Sequence, residues 1–204
     1  VRNRASGYDT WEEGTRLNAG VSALFNTSTP YLPDVDAFVG RSYRLDGDAT
    51  FGPGSGLETE ESDWVVGLEV NFGNMFSVGA QSRIDGDTGQ ANRVDAFTSV
   101  ALWRVRGSVS YSLTDDANVV RPVRESMGVA GSFELIENWF IGYRAMRDLE
   151  RGITSRQDVS LIYRDECTDL RIVYAEQNFD IGNLGDSRSI SFQITLFTLG
   201  SFSE

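Results

Sequence analysis

An all-β fold, laid out as an antiparallel meander, is predicted by three features of the chain. From about Asp63 to the end, segments of roughly ten residues carry an apolar side chain at every second position. The clearest is Trp64, Val66, Leu68, Val70 and Phe72, interleaved with Asp63, Val65, Gly67, Glu69 and Asn71. The connections between segments alternate short and long. No apolar run is long enough for a transmembrane helix, at 40% hydrophobic residues and a mean hydropathy of −0.26.

About eleven strands are expected. The first lies near Thr15–Asn26, with Leu17, Ala19, Val21, Ala23 and Phe25 on one face, and the second near Val35–Leu45. The third and fourth, Asp63–Phe72 and Met75–Ile84, meet at Gly73-Asn74, a pair suited to a tight hairpin. The fifth, near Asn92–Trp103, aligns Val94, Ala96, Thr98, Val100 and Leu102. The sixth, Arg104–Thr114, turns Val105, Val109, Tyr111 and Leu113 one way and Arg106, Ser108, Ser110 and Ser112 the other. The seventh, near Val123–Leu135, aligns Met127, Val129, Phe133 and Leu135. Trp139–Arg147, Gln157–Arg164 and Thr168–Gln177 form the eighth, ninth and tenth. The last, Ser189–Leu199, sets Ile190, Phe192, Ile194 and Leu196 against Ser189, Ser191, Gln193 and Thr195.

Successive connections of a meander fall on opposite rims. The turns at Gly73-Asn74, Trp103-Arg104, Ile136–Asn138 and Asp165–Cys167 are short and share one rim. Asp46–Ser62, Asp85–Ala91, Asp115–Pro122, Asp148–Thr154 and Asn178–Arg188 are longer, rich in Asp, Gly or Asn, and share the other. Tight periplasmic turns opposite longer extracellular loops are the pattern of a transmembrane outer-membrane β-barrel. Strands of about ten residues, rising about 3.3 Å each and tilted roughly 40°, span its apolar band of about 25 Å. Aromatics near strand ends, at Trp64, Phe72, Phe76, Trp103, Trp139, Phe192 and Phe197, suit interfacial girdles, though any core packs Trp and Phe.

The polar face carries Asp63, Glu69, Asn71, Arg93, Asp95, Arg106, Arg144, Asp169 and Arg171. Such a set is costly to bury dry, so it faces a barrel lumen or the outside of a soluble β-sandwich. An odd strand count cannot close a single-chain bacterial barrel, and open sheet edges are not tolerated in a bilayer. The expectation is therefore that strands are missing upstream. The start on Val1 without an export signal reads the same way, as part of a longer chain.

The net charge is −12 and all 18 basic residues are Arg. No basic stripe exists, which argues against a nucleic-acid partner. His is absent, so Ser-His hydrolytic chemistry is excluded within this chain and no enzymatic role is expected. Asp115-Asp116, Glu60-Glu61 and Glu12-Glu13 read as solvated loop carboxylates. Asp85-Gly86-Asp87 lacks EF-hand spacing. Gly52-Pro53-Gly54-Ser55-Gly56 lacks the Lys-Ser/Thr ending of a phosphate loop. No cofactor or metal is implied. Cys167 has no internal partner and is a free thiol or half of a bond to something outside the chain.

Three stretches resemble the C-terminal barrel of the lipopolysaccharide (LPS)-assembly family LptD. They are Ser6-Gly7-Tyr8-Asp9 with Glu13-Gly14-Thr15-Arg16 and Asn18; Val39-Gly40-Arg41-Ser42-Tyr43-Arg44 with Gly54-Ser55-Gly56-Leu57-Glu58 and Ser62-Asp63; and Tyr163-Arg164-Asp165-Glu166-Cys167-Thr168. The resemblance implies that residues 1–204 are the C-terminal segment of one LptD-like barrel domain, with the periplasmic domain and earlier strands absent. It implies a bacterial cell outer-membrane location and LPS as cargo. It further implies an LptE-like lipoprotein in the lumen and a periplasmic transport bridge reached through the missing N-terminal domain. The last strand, with Ile190, Phe192, Ile194 and Leu196, would form one side of a lateral gate. Ser189, Ser191, Gln193, Thr195, Arg106 and Arg171 would face the lumen, and Cys167 would be disulfide-bonded to the periplasmic domain. A diffusion porin and a soluble β-sandwich binding module are the alternatives.

Overall fold

The structure, a computed structural model, describes residues 14–27, 29, 32–48, 56–57, 59–114, 124–178 and 185–197. Eleven strands occur in it: β1 (Thr15–Phe25), β2 (Asp34–Asp46), β3 (Trp64–Phe72), β4 (Phe76–Ile84), β5 (Ala91–Leu102), β6 (Val105–Thr114), β7 (Glu125–Ile136), β8 (Trp139–Asp148), β9 (Ile153–Arg164), β10 (Thr168–Gln177) and β11 (Ser187–Leu196). They lie in one sheet in strict chain order, an antiparallel meander.

Most expected bounds hold to within two residues. The largest difference is β9, which begins at Ile153 and not at Gln157. Its first residues pair with β8 through a register shift between Met146 and Arg147, which lets Thr154 and Ile153 join the ladder. The long connection expected at Asp148–Thr154 thereby shrinks to residues 149–152. Asp148 closes it, 2% exposed, by accepting the Arg151 N–H at 2.9 Å. On the other rim, the β1–β2 connection spans residues 26–33 and is longer than its three- and two-residue neighbours at 73–75, 103–104 and 137–138. Leu135 sits in a bulge where the β7–β8 register shifts between Glu134 and Ile136. The expected ends of the seventh strand at Val123 and the eleventh at Leu199 lie outside the described residues, as do Asp115-Asp116, Glu12-Glu13 and Ser6–Asp9.

The short turns demand left-handed backbone, supplied by Gly73 (φ 56°) and Asn138 (φ 69°). Trp103 does the same at φ 47°, an uncommon place for a bulky residue. It stands 89% exposed, with the Arg104 guanidinium 4.9 Å from its ring.

Two compact units divide the chain: Val1–Thr98 with Tyr111–Glu125, and Ser99–Ser110 with Ser126–Glu204. In the first unit, register places Leu17 opposite Tyr43, Val21 opposite Val39, Val39 opposite Val66 and Leu68 opposite Ala80, all on one face. That face is open: Val21 is 71% and Leu68 51% exposed. The opposite face seats two aromatic rings on strand glycines. A Cβ on Gly67 would fall 2.1 Å from Phe38, and one on Gly79 2.6 Å from Phe97. In the second unit, Phe133 faces Ile141, Ile141 faces Leu161, Leu161 faces Ile172 and Ile172 faces Phe192. This face is equally open, and all ten residues of β11 are exposed. Phe192, expected near a strand end, therefore lies mid-belt.

Only Leu57, Val65 and Ala175 are buried hydrophobics among the described residues. A soluble sandwich would bury these faces in a shared core, and neither unit does so. Each outward Leu, Ile or Phe is worth about 1.5–3 kcal/mol on leaving water, so the face calls for an apolar solvent.

Candidate functional site

The first unit gathers the second LptD-like stretch into one cluster. Residues 56–57 and 59–63 fold back on the end of β2. The Ser62 N–H donates to Ser42 O at 2.8 Å, and Ser42 N–H donates to Ser62 Oγ at 2.8 Å. Ser62 is 1% exposed. Leu57 O accepts from Arg16 Nη2 at 3.3 Å and Arg44 Nη2 at 3.4 Å, while Arg44 also donates to Thr59 O. Asp63 holds the centre. Its Oδ2 lies 3.2 Å from Arg83 Nε, an ion pair without the alignment of a hydrogen bond at that nitrogen, and accepts Asn92 Nδ2 at 2.9 Å. Gly56, at φ +71°, lies so close that a Cβ would meet Asp63 Oδ2 at 2.7 Å. The residue types of the stretch thus serve a loop clamp. Spacing alone does not show this, because the contacts join positions about twenty apart.

Arg41 lies on the apolar face, opposite Ala19. Its charge is covered: Nη1 is 2.6 Å from Glu61, Nε donates to Ser62 O at 2.6 Å, and the Trp64 and Tyr43 rings lie 5.5 and 5.8 Å away. The second unit's apolar face ends similarly. Glu176 stands between Gln157 and Arg188 in the ladder and receives a hydrogen bond from each at 2.7 Å. Both clusters mark the long-loop end of their strands. At the short-turn end the face closes with Phe72 against Phe76, centroids 5.9 Å apart, and Trp139 against Tyr163 at 5.1 Å. That is girdle chemistry, an apolar body with a wet edge.

Cys167 lies in the Asp165–Cys167 turn, half-buried and free among the described residues. Asp165 accepts the N–H groups of Cys167 (2.8 Å) and Thr168 (2.7 Å) and the Tyr163 hydroxyl (2.8 Å). The Cys167 N–H, first among these donors, holds the Asp165 carboxyl below the usual carboxylate range. Asp85 is lowered in the same way, chiefly by the Thr88 N–H and then by that of Asp87. The Asp content of the connections is thus partly turn chemistry. A depressed folded pKa stabilises each turn above the ordinary value, near about pH 4, and the effect is lost as pH falls through the lowered one. Amide-exchange protection at Cys167 and Thr168 should therefore be lost only as pH falls below the ordinary carboxylate range, and Asp165→Asn, which keeps an uncharged acceptor, should flatten that response. Equal acid sensitivity in the variant would refute this account.

On β11, register sets Ser189, Ser191, Gln193 and Thr195 opposite Ala175, Val173, Arg171 and Asp169 on the polar face. Ile190, Phe192, Ile194 and Leu196 oppose Tyr174, Ile172, Leu170 and Thr168 on the apolar one. The outer edge of β11 has no strand partner among the described residues. Phe197, just beyond it, donates its N–H to Cys167 O at 2.8 Å. Arg106 and Arg171 line one groove of about 430 Å³ in the second unit. Arg144, expected on the same polar face but not among the lumen-lining site residues, lines the same groove.

An antiparallel meander with one open apolar face, closed at its ends by aromatics and neutralised charges, is the build of an outer-membrane β-barrel wall. The family model for LptD, LPS transport system D, matches residues 1–139. The chain belongs to that family, and LPS transport is the work the family carries. The match takes in the first two resembling stretches and the loop clamp; Tyr163–Thr168 lies beyond it. No curated protein matches the chain.

Proposed function

We propose that this chain is wall of an outer-membrane translocon that places LPS in the outer leaflet through a lateral gate. The observation that supports the reading is the LptD-family match over residues 1–139, on a meander whose apolar side chains stand open on one face of each unit. In this reading β11 is one side of the gate. Ile190, Phe192, Ile194 and Leu196 meet lipid, and Ser189, Ser191, Gln193 and Thr195, with Arg106 and Arg171, line the sugar's path. The role is transport without covalent chemistry or cofactor. The eleven strands are the C-terminal segment of a larger barrel domain in the bacterial outer membrane. An LptE-like lipoprotein in the lumen and a periplasmic bridge are its partners. Cys167, on the short-turn rim in an oxidising compartment, is half of a disulfide to a periplasmic domain.

Family membership favours this over a diffusion porin. Ser191→Asp or Gln193→Asp should lower surface LPS in cells depleted of the wild-type protein, while the barrel keeps its heat-modifiable gel mobility. Unchanged surface LPS would remove β11 from the path. For the disulfide, Cys167→Ser in the full-length protein should shift mobility on a non-reducing gel; identical mobility would end that proposal.

A further inference from the structure

We propose that the polar face of the second unit carries an anion-binding track for a phosphorylated saccharide, centred on Arg106, Arg144 and Arg171. This rests on the reading of that face as a lumen wall. All three guanidinium groups line the 430 Å³ groove. Among the described residues none of the three has an ion-pair or hydrogen-bond partner. The carboxylate lining the groove, Asp158, stands opposite Arg144 in the β8–β9 register but is engaged by Arg156 at 3.0 Å. In the first unit, by contrast, the polar-face cations Arg83 and Arg93 are neutralised by Asp63 and Asp95. Unpaired cations are notable in a chain of net charge −12.

The floor between these arginines is kept clear. Register places Ser132 opposite Gly142 and Gly142 opposite Ser160, three small residues in a row across β7, β8 and β9. Arg144 lies two residues along β8 from Gly142, and Arg171 opposite Ile162, two residues along β9 from Ser160. A second groove of about 350 Å³ shares Arg144 and continues past Ser110 and Gly128 to Arg156. The whole is a strip of serine hydroxyls, two of them seated over Gly142 and Gly128, flanked by guanidinium groups. Hydroxyls suit sugar, and planar guanidinium forks suit phosphate oxygens. Spread along a strip, they favour an anion that moves from one to the next over one locked in place.

The test uses the full-length protein, of which these strands are part, folded in detergent. The probes are a bisphosphorylated glucosamine disaccharide, the same disaccharide without phosphate, and inorganic phosphate. The bisphosphorylated sugar should bind in 50 mM salt and weaken markedly at 0.5 M. The bare sugar should not bind, and inorganic phosphate should compete poorly. Arg144→Gln or Arg106→Gln should weaken binding about tenfold, and Arg144→Lys less. Arg147→Gln, whose guanidinium serves Gly152 O at 3.0 Å, should leave it unchanged. Equal binding of the bare sugar, equal competition by inorganic phosphate, or indifference to both Gln changes overturns the track. If the lumen reading itself fails, the full-length protein shows no heat-modifiable barrel at all. Failure of the track alone leaves the barrel intact.

Discussion

Leu68→Arg should cost the folded barrel about 2–4 kcal/mol in a bilayer, enough to deplete the heat-modifiable form. Leu68 is the middle residue of β3, faces Ala80 and Ala37, and is 51% exposed. A guanidinium there meets only Ala37 and Ala80 across the neighbouring strands and sits at the depth where a charge is most expensive. The informative control is one residue away in register. Gln81 pairs with Gly67 on the polar face. Gln81→Arg faces water there and should stay within about 0.5 kcal/mol of wild type. Urea unfolding from vesicles reads both. Equal tolerance of the two changes would mean that the open face does not meet lipid.

Asp63→Ala should be nearly as damaging for a different reason. It removes the anion from an ion pair whose side chains are only 12% and 11% exposed, Arg83 and Asp63, and also frees Asn92. Removing one partner of a buried ion pair typically costs about 3–5 kcal/mol. The clamp should loosen with it, since the Asp63 N–H also donates to Gly56 O at 3.0 Å. Protease cutting within residues 56–63 should rise in the variant. The double change Asp63→Leu with Arg83→Met should recover most of the lost stability, because a matched apolar pair carries no uncompensated charge. A single variant as stable as wild type would show that the ion pair does not hold the loop.

Much of the architecture was legible because a strand's side chains alternate with period two. Reading Trp64 to Phe72 one way and Asp63 to Asn71 the other already implies which residues share a face. The structure bears that out residue by residue through the Val39–Val66 and Ile172–Phe192 pairs. Less legible was whatever depends on partners distant in sequence. Phe38 and Phe97 break the alternation, and only their seats on Gly67 and Gly79 explain them. The start of β9 depended on a register shift that no local pattern encodes. Arg41 falls on an apolar face, and only Glu61, Trp64 and Tyr43 around it explain how its charge is held there.

The amino-acid sequence by itself determined the fold class, the meander, the two faces and the rim on which each connection falls. Those follow from local alternation and loop length, which need no knowledge of what lies across the sheet. The tertiary structure alone decided which charges are spent and which are free. Arg83 and Arg93 are neutralised, whereas Arg106, Arg144 and Arg171 share one groove unpaired. On paper all five are arginines on polar strand faces. Pairing is a matter of a few ångströms across neighbouring strands, and that distance is set by register, not by sequence separation.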